Sequence, residues 1–63
     1  MNPMRFKIRP ASGGWRVHFM DAKNGKTILW SQVYNDIRDA RIAVRLTKMY
    51  AATAPVDEAR RAA

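Results

Sequence analysis

Residues Gly13 to Ser31 read GGWRVHFMDAKNGKTILWS: two runs that alternate apolar and polar side chains, separated by a polar turn that contains glycine. Successive side chains of a strand take opposite faces, so Trp15, Val17 and Phe19 share one side and Arg16, His18 and Met20 the other. Asn24-Gly25 offers the positive φ that tight hairpin turns require, and the polar run Asp21 to Lys26 has room for a bulged or longer loop. The stretch predicts a β-hairpin. A hairpin alone is at best marginally stable in water, so the Trp15/Val17/Phe19 side needs a cover from the rest of the chain.

Working outward, Met4 to Arg9 reads MRFKIR, with Met4, Phe6 and Ile8 on one side and Arg5, Lys7 and Arg9 on the other. This is a first strand, and Pro10 with Ser12-Gly13-Gly14 breaks its pattern, because proline gives no ladder donor and glycine accepts turn geometry. After the Asp21–Lys26 turn a third strand takes Thr27 to Ser31. Facing Ile28 and Trp30 inward adds the larger ring to the Phe6/Trp15/Phe19 set and leaves Leu29 on the polar side. Asn35 or Asp36 then supplies an N-cap, a short oxygen acceptor for the free amides of a first turn, with Asp36 and Asp39 at the positive end of the helix dipole. From Ile37 to about Ala52 the chain has no Gly or Pro and favours helix, and Pro55 stops it.

The expected fold is therefore α+β: a three-stranded antiparallel sheet with one C-terminal helix packed on one face, a βββα unit. At 63 residues it is a single domain, residues 1–55, followed by a flexible tail, residues 56–63. The helix is apolar over more of its circumference than one sheet can cover. Ile37, Ala40, Val44, Thr47 and Ala51 form one line, and Ile42, Leu46 and Met49 form another, with Tyr50 between them. An amphipathic helix on a sheet needs an arc of about 100° or a little more, and these lines together cover about twice that. One line faces the sheet and the other wants a second partner. A basic stripe, Arg38, Arg41, Arg45 and Lys48, runs beside them at helical spacing.

Twelve Lys/Arg against five Asp/Glu give a net charge of +7 and a pI near 10.9. An excess of this size attracts polyanions in a salt-dependent way and carries no sequence specificity of its own. The chain has no cysteine and one histidine, so it offers no disulfide, no thiolate and no histidine cluster for a metal; that fits a cytoplasmic setting. The start, MNPMRFKIRP, is charged where a signal peptide needs its apolar core, and no apolar run approaches the roughly 20 residues of a membrane span. A soluble protein that is not exported is expected.

The elements quoted so far, Phe6-Lys7-Ile8, Trp15-Arg16-Val17, Asn24-Gly25-Lys26, Ile28, Ser31, Tyr34, then Ala40 and Ala43, resemble the YegP-like family of small bacterial and phage domains of unknown function. The resemblance runs from Met4 to about Asp57, and its most telling points are the Asn-Gly turn, the following Ser, and the Tyr just before the helix. It implies a three-stranded sheet with a helix across it and two such units packed together, hence a homodimer for a chain with one unit. It implies no activity, catalytic residue or cofactor. Trp30 stands where a small residue is more usual, and the arginine content is higher than in the family. A second resemblance, carried by WRVHFMDAKNGKTILW and the helix after it, is to three-stranded DNA-binding domains of the AP2 type and to the arm-binding domains of tyrosine integrases. It implies a sheet face in the major groove, with Arg5, Lys7, Arg9, Arg16 and Lys26 on or beside it.

For catalysis the inventory is poor. His18 sits mid-strand without an orienting carboxylate, and Ser12, Ser31, Asp21, Asp36 and Asp39 fall in no triad or paired-carboxylate spacing. Ser12-Gly13-Gly14 lacks the Lys-Ser/Thr ending and the helix of a phosphate loop. Neither an enzyme, nor a cofactor, nor a small-molecule substrate is expected. Alternation instead puts Arg5, Lys7, Arg9, Arg16 and His18 on one side of adjacent strands, a cationic face without a carboxylate, with Lys26 beside it. A solvated outer face needs only to be polar. The expectation is a basic, non-enzymatic homodimer that contacts nucleic acid through this face, with Ile42, Leu46, Met49 and Tyr50 as the dimer or partner interface. The alternative is a protein-interaction module, such as a small phage or bacterial regulator that binds another protein through the apolar helix face.

Overall fold

The computed structural model describes residues 2–59. Three strands, β1 (Met4–Ala11), β2 (Gly14–Asp21) and β3 (Thr27–Tyr34), are followed by one helix, α1 (Ile37–Tyr50). The strands form one antiparallel sheet in the order β1-β2-β3, with α1 packed mainly on β2, the central strand. The fold is the βββα arrangement that the alternating strands and the Gly- and Pro-free segment predict. Among the described residues no helix is long and apolar enough to cross a membrane.

The first hairpin is regular. Phe6 pairs with Phe19, Ile8 with Val17 and Pro10 with Trp15, so their side chains stand on one face, and the Phe6 and Phe19 rings meet at 4.9 Å between centroids. β1 outruns the expected Met4–Arg9 by two residues, because Pro10 sits on an edge strand, where the missing donor faces no partner strand. The turn is Ser12-Gly13, with Gly13 at φ 88°; this positive φ at the second turn position is one that only glycine adopts at little cost. Gly14 is demanded by a close approach. A Cβ there would collide with the Tyr34 carbonyl oxygen and lie 3.0 Å from the Asn35 Cα, so the strand start and the β3–α1 junction lock together only without a side chain.

The second hairpin has a five-residue loop and not a tight two-residue turn. Asp21 organises it: its carboxylate accepts from the Lys23 amide at 2.8 Å, its carbonyl accepts from the Gly25 amide at 2.8 Å, and its own amide donates to the Lys26 carbonyl at 2.9 Å. Beyond the loop the pairing of β3 shifts twice. Trp15 faces Tyr34 and Arg16 faces Val33, yet His18 faces Trp30 and Phe19 faces Leu29, then Met20 faces Thr27. Ser31 and Gln32 thus lie opposite the single residue Val17, a β-bulge, and Ile28 is the extra residue of a second irregularity.

The bulge reverses one expectation. Carried on unbroken from Tyr34, the register would set Trp30 opposite Phe19 on the helix side. One added residue moves every later side chain to the other face. Trp30 therefore stands with His18 on the outer face and Leu29 with Phe19 on the helix side, which corrects the inward placement of Ile28 and Trp30 and the outward placement of Leu29. Ile28 remains more than half exposed. The bulge also explains why β3 runs to Tyr34 and not only to Ser31: after the extra residue, Val33 and Tyr34 resume the ladder.

Helix α1 starts at Asp36, whose carboxylate accepts from the Arg38 amide at 2.9 Å and also holds the Arg38 guanidinium at 2.9 Å. Those contacts depress the Asp36 carboxyl pKa, the Arg38 side chain first. The helix ends at Tyr50, with Ala51 as its C-cap, slightly short of Ala52. Ala40 is buried against the sheet, but among the described residues only Val17, Met20 and Ala40 are buried. The tail expected over residues 56–63 is exposed and without regular structure as far as residue 59; its last residues lie outside the described part.

The Val17 amide donates to the Ser31 hydroxyl at 2.9 Å, and that hydroxyl donates to the Gln32 carbonyl at 2.7 Å. Ser31→Ala removes the acceptor and leaves a part-buried amide unpaired, a loss of about 1–3 kcal/mol. Urea denaturation should show that loss for Ser31→Ala and a smaller one for Gln32→Ala. Equal, small effects would mean that the hydroxyl does not hold the bulge.

Candidate nucleic-acid interface

The outer face of the sheet carries three cross-strand rows, set by the pairing of β2 with both neighbours. Arg5, Met20 and Thr27 form the first, Lys7, His18 and Trp30 the second, and Arg9, Arg16 and Val33 the third. Neighbouring strands lie about 4.8 Å apart, so each row spans about 10 Å. The nine positions include four permanent cations and no carboxylate. Arg5, Lys7, Arg9, Arg16 and His18 therefore do stand together, as their alternation predicts. Lys26 stands apart from the rows, exposed in the loop just before Thr27.

The cations differ in freedom. Arg5, Lys7 and Arg9 belong to the edge strand β1 and are exposed, whereas Arg16 on β2 is half-buried. The Arg16 Nε lies out of water with no hydrogen-bond partner among the described residues. Met20, between Arg5 and Thr27, is buried, and long basic side chains lay their apolar stems over such neighbours while their charged ends stay in water.

His18 lies at the centre of this face. Partial burial, then the nearby Arg9 and Arg16 charges, lower its pKa below the ordinary 6.5, because each disfavours adding a proton. Its Nδ1 lies 3.4 Å from the Thr27 hydroxyl. The imidazole is thus neutral at pH 7. No carboxylate orients it, and no group of three His, Cys, Asp or Glu side chains that could hold a metal occurs among the described residues.

Trp30 and Val33 are the members of this face that strand alternation misses. The indole is 64% exposed and in register with His18. No signal for it exists in the sequence: with Leu29 outward, an unbroken strand turns Ile28, Trp30 and Tyr34 to the helix without conflict.

The apolar residues expected to form an interface lie elsewhere. Ile42, Leu46, Met49 and Tyr50 are about half exposed or more, on the helix surface turned away from Ala40. On the inner side α1 stands off β3, leaving an open groove of about 480 Å³ floored by Val17, Phe19 and Leu29, walled by Ala43 and Thr47 and bordered at the sheet edge by Trp30. A second cleft of about 520 Å³ lies between α1 and β1, lined by Met4, Ile8, Arg41 and Val44. The helix therefore covers β2 and leaves both flanks open.

The lowered His18 pKa has a checkable sign. The unfolded chain takes up the proton first, so His18 subtracts nothing from stability above 6.5 and destabilises progressively as pH falls below it toward the folded pKa. An NMR titration should place the His18 midpoint below 6.5, and Arg9→Gln or Arg16→Gln should each raise it. A midpoint at or above the ordinary value would contradict the crowding of charge on this face.

Compared with known protein families, curated proteins and solved structures, the chain matches none.

Proposed function

We propose that this protein is a small, non-enzymatic binding module that contacts nucleic acid through the outer face of its sheet and works as a homodimer joined through its helix. The observation that carries the reading is the set of four cations, Arg5, Lys7, Arg9 and Arg16, on a face of nine residues without a carboxylate. A solvated face gains nothing from excluding acids altogether, since mixed charges dissolve as well and repel less. A uniformly cationic face of about 10 Å by three rows fits a phosphate backbone, whose binding releases condensed counterions.

A separate observation supports the dimer. Ile42, Leu46, Met49 and Tyr50 lie at positions i, i+4, i+7 and i+8, one stripe of α1, and all are exposed. A contiguous apolar stripe on so thinly cored a domain is stabilised by burial against a second copy, and closed two-fold assemblies are the commonest solution. The likeness to YegP-like domains, in which two units pack together, supports the same assembly. The alternative reading, a heterologous protein partner on that stripe, draws on the same residues.

Two variants separate the parts of the proposal. Arg5→Gln, Lys7→Gln and Arg16→Gln together should abolish binding to duplex or single-stranded DNA at low salt and leave the sedimentation coefficient of the dimer unchanged. Leu46→Asp should give a monomer. For the unmodified protein, log K should fall with log salt at a slope of about −3 to −4 per chain against duplex DNA if all four cations meet phosphates. No binding at low salt, or binding without a salt slope, would overturn the nucleic-acid reading. A clean monomer at micromolar concentration would overturn the dimer.

A further inference from the structure

The indole of Trp30 needs an explanation that the cationic rows alone do not give. It is 64% exposed, it stands in one row with Lys7 and His18 at the open edge of the sheet, where it also borders the groove beside α1, and it reaches that row only because of the Ser31–Gln32 bulge. Tryptophan carries the largest apolar surface of any side chain, and an exposed one amid charges is stabilised by a flat, polarisable partner.

Three kinds of occupant can be weighed against the charges around it. A second copy docked face to face would bring Arg5, Lys7, Arg9 and Arg16 against the same four cations, and like charges set across an interface cost several kcal/mol. A DNA duplex satisfies the cations but keeps its bases stacked, so it presents base edges in its grooves and no base face to an indole. A single strand satisfies both demands. Its phosphates pair with the cations and its unstacked bases offer π-faces to aromatic side chains.

We infer that the outer sheet face is a single-stranded nucleic-acid site, in which Trp30 stacks a base while Lys7, Arg9 and Arg16 hold the flanking phosphates. The inference rests on the nucleic-acid reading of the face and specifies its ligand. The neutral His18 imidazole, between the indole and Lys7, extends the platform as a second flat ring. The exposed position of Trp30 on the edge strand β3 lets a strand enter from the side without crossing the rest of the sheet. Aromatic stacking of this kind tolerates any base, so the site binds with little sequence preference.

The test compares labelled oligothymidylate with its duplex against oligoadenylate at the same salt concentration, by fluorescence anisotropy. The single strand should bind more tightly than the duplex. Trp30→Ala should weaken single-strand binding by roughly five-fold or more, the lower end of what alanine replacement of a stacking residue costs, and Trp30→Phe should retain most of it. Duplex affinity should not change in either variant. In a Trp15→Phe background, where Trp30 is the one remaining tryptophan, its emission should be quenched by oligothymidylate.

The outcomes distinguish this inference from the proposal beneath it. If Trp30→Ala binds the single strand as tightly as the unmodified protein, while the Arg5/Lys7/Arg16 variant has lost binding, stacking is overturned and electrostatic contact stands. If Trp30→Ala dissociates the dimer and spares nucleic-acid binding, Trp30 belongs to a protein interface and the inference also fails. If neither nucleic acid binds the unmodified protein, both readings fall together.

Discussion

A single hydrogen bond, from the Val17 amide to the Ser31 hydroxyl, decides which side of the sheet β3 presents. In a regular ladder the acceptor for that amide would be a backbone carbonyl of β3. With the hydroxyl in its place, Ser31 and Gln32 together oppose Val17, and Trp30 and Leu29 are turned over, until the second irregularity at Ile28. Two consequences follow from one extra residue. Leu29 comes into register with Phe19 on the helix side, where it stays exposed, and Trp30 comes into register with His18. The composition of both faces depends on that displacement, so the bulge links strand pairing directly to the chemistry of the outer surface.

The same geometry leaves the domain thinly cored. The helix is held close at the β3–α1 junction, where Gly14 admits the Tyr34 and Asn35 backbone and Ala40 packs without a gap. Farther along it stands away from β3 and β1, and grooves remain on both sides. A domain of this length buries a smaller share of its surface than a larger one does, so association or a ligand would add to its stability. The exposed stripe Ile42, Leu46, Met49 and Tyr50 is the part of the molecule best suited to provide that help. The cationic face is the part least suited to it, because two copies would repel there. On charge alone, self-association is disfavoured at the cationic face and not at the apolar stripe.

Much of this was legible in the sequence because it depends on local periodicity. The alternation of MRFKIR and WRVHFM places Arg5, Lys7, Arg9, Arg16 and His18 on one side whatever the rest of the chain does. The cap at Asp36 and the uninterrupted run after it mark α1 nearly to the residue. What escaped was set by pairing between distant residues. Pro10 reads as a terminator, yet an edge position lets β1 continue through it. Trp30 reads as core, because size and alternation both favour that; its true side depends on a hydroxyl meeting an amide fourteen residues away, which no local pattern encodes. The misplacement mattered for function, since an inward Trp30 leaves the outer face only cationic and an outward one adds a ring to it.

The most direct test of this account is the cross-strand contact of Trp30, read from nuclear Overhauser effects in the free protein. The bulged register predicts that Trp30 meets His18 and that Leu29 meets Phe19. Contacts between Trp30 and Phe19, with Leu29 beside Met20, would show an unbulged strand and contradict the assignment of both faces.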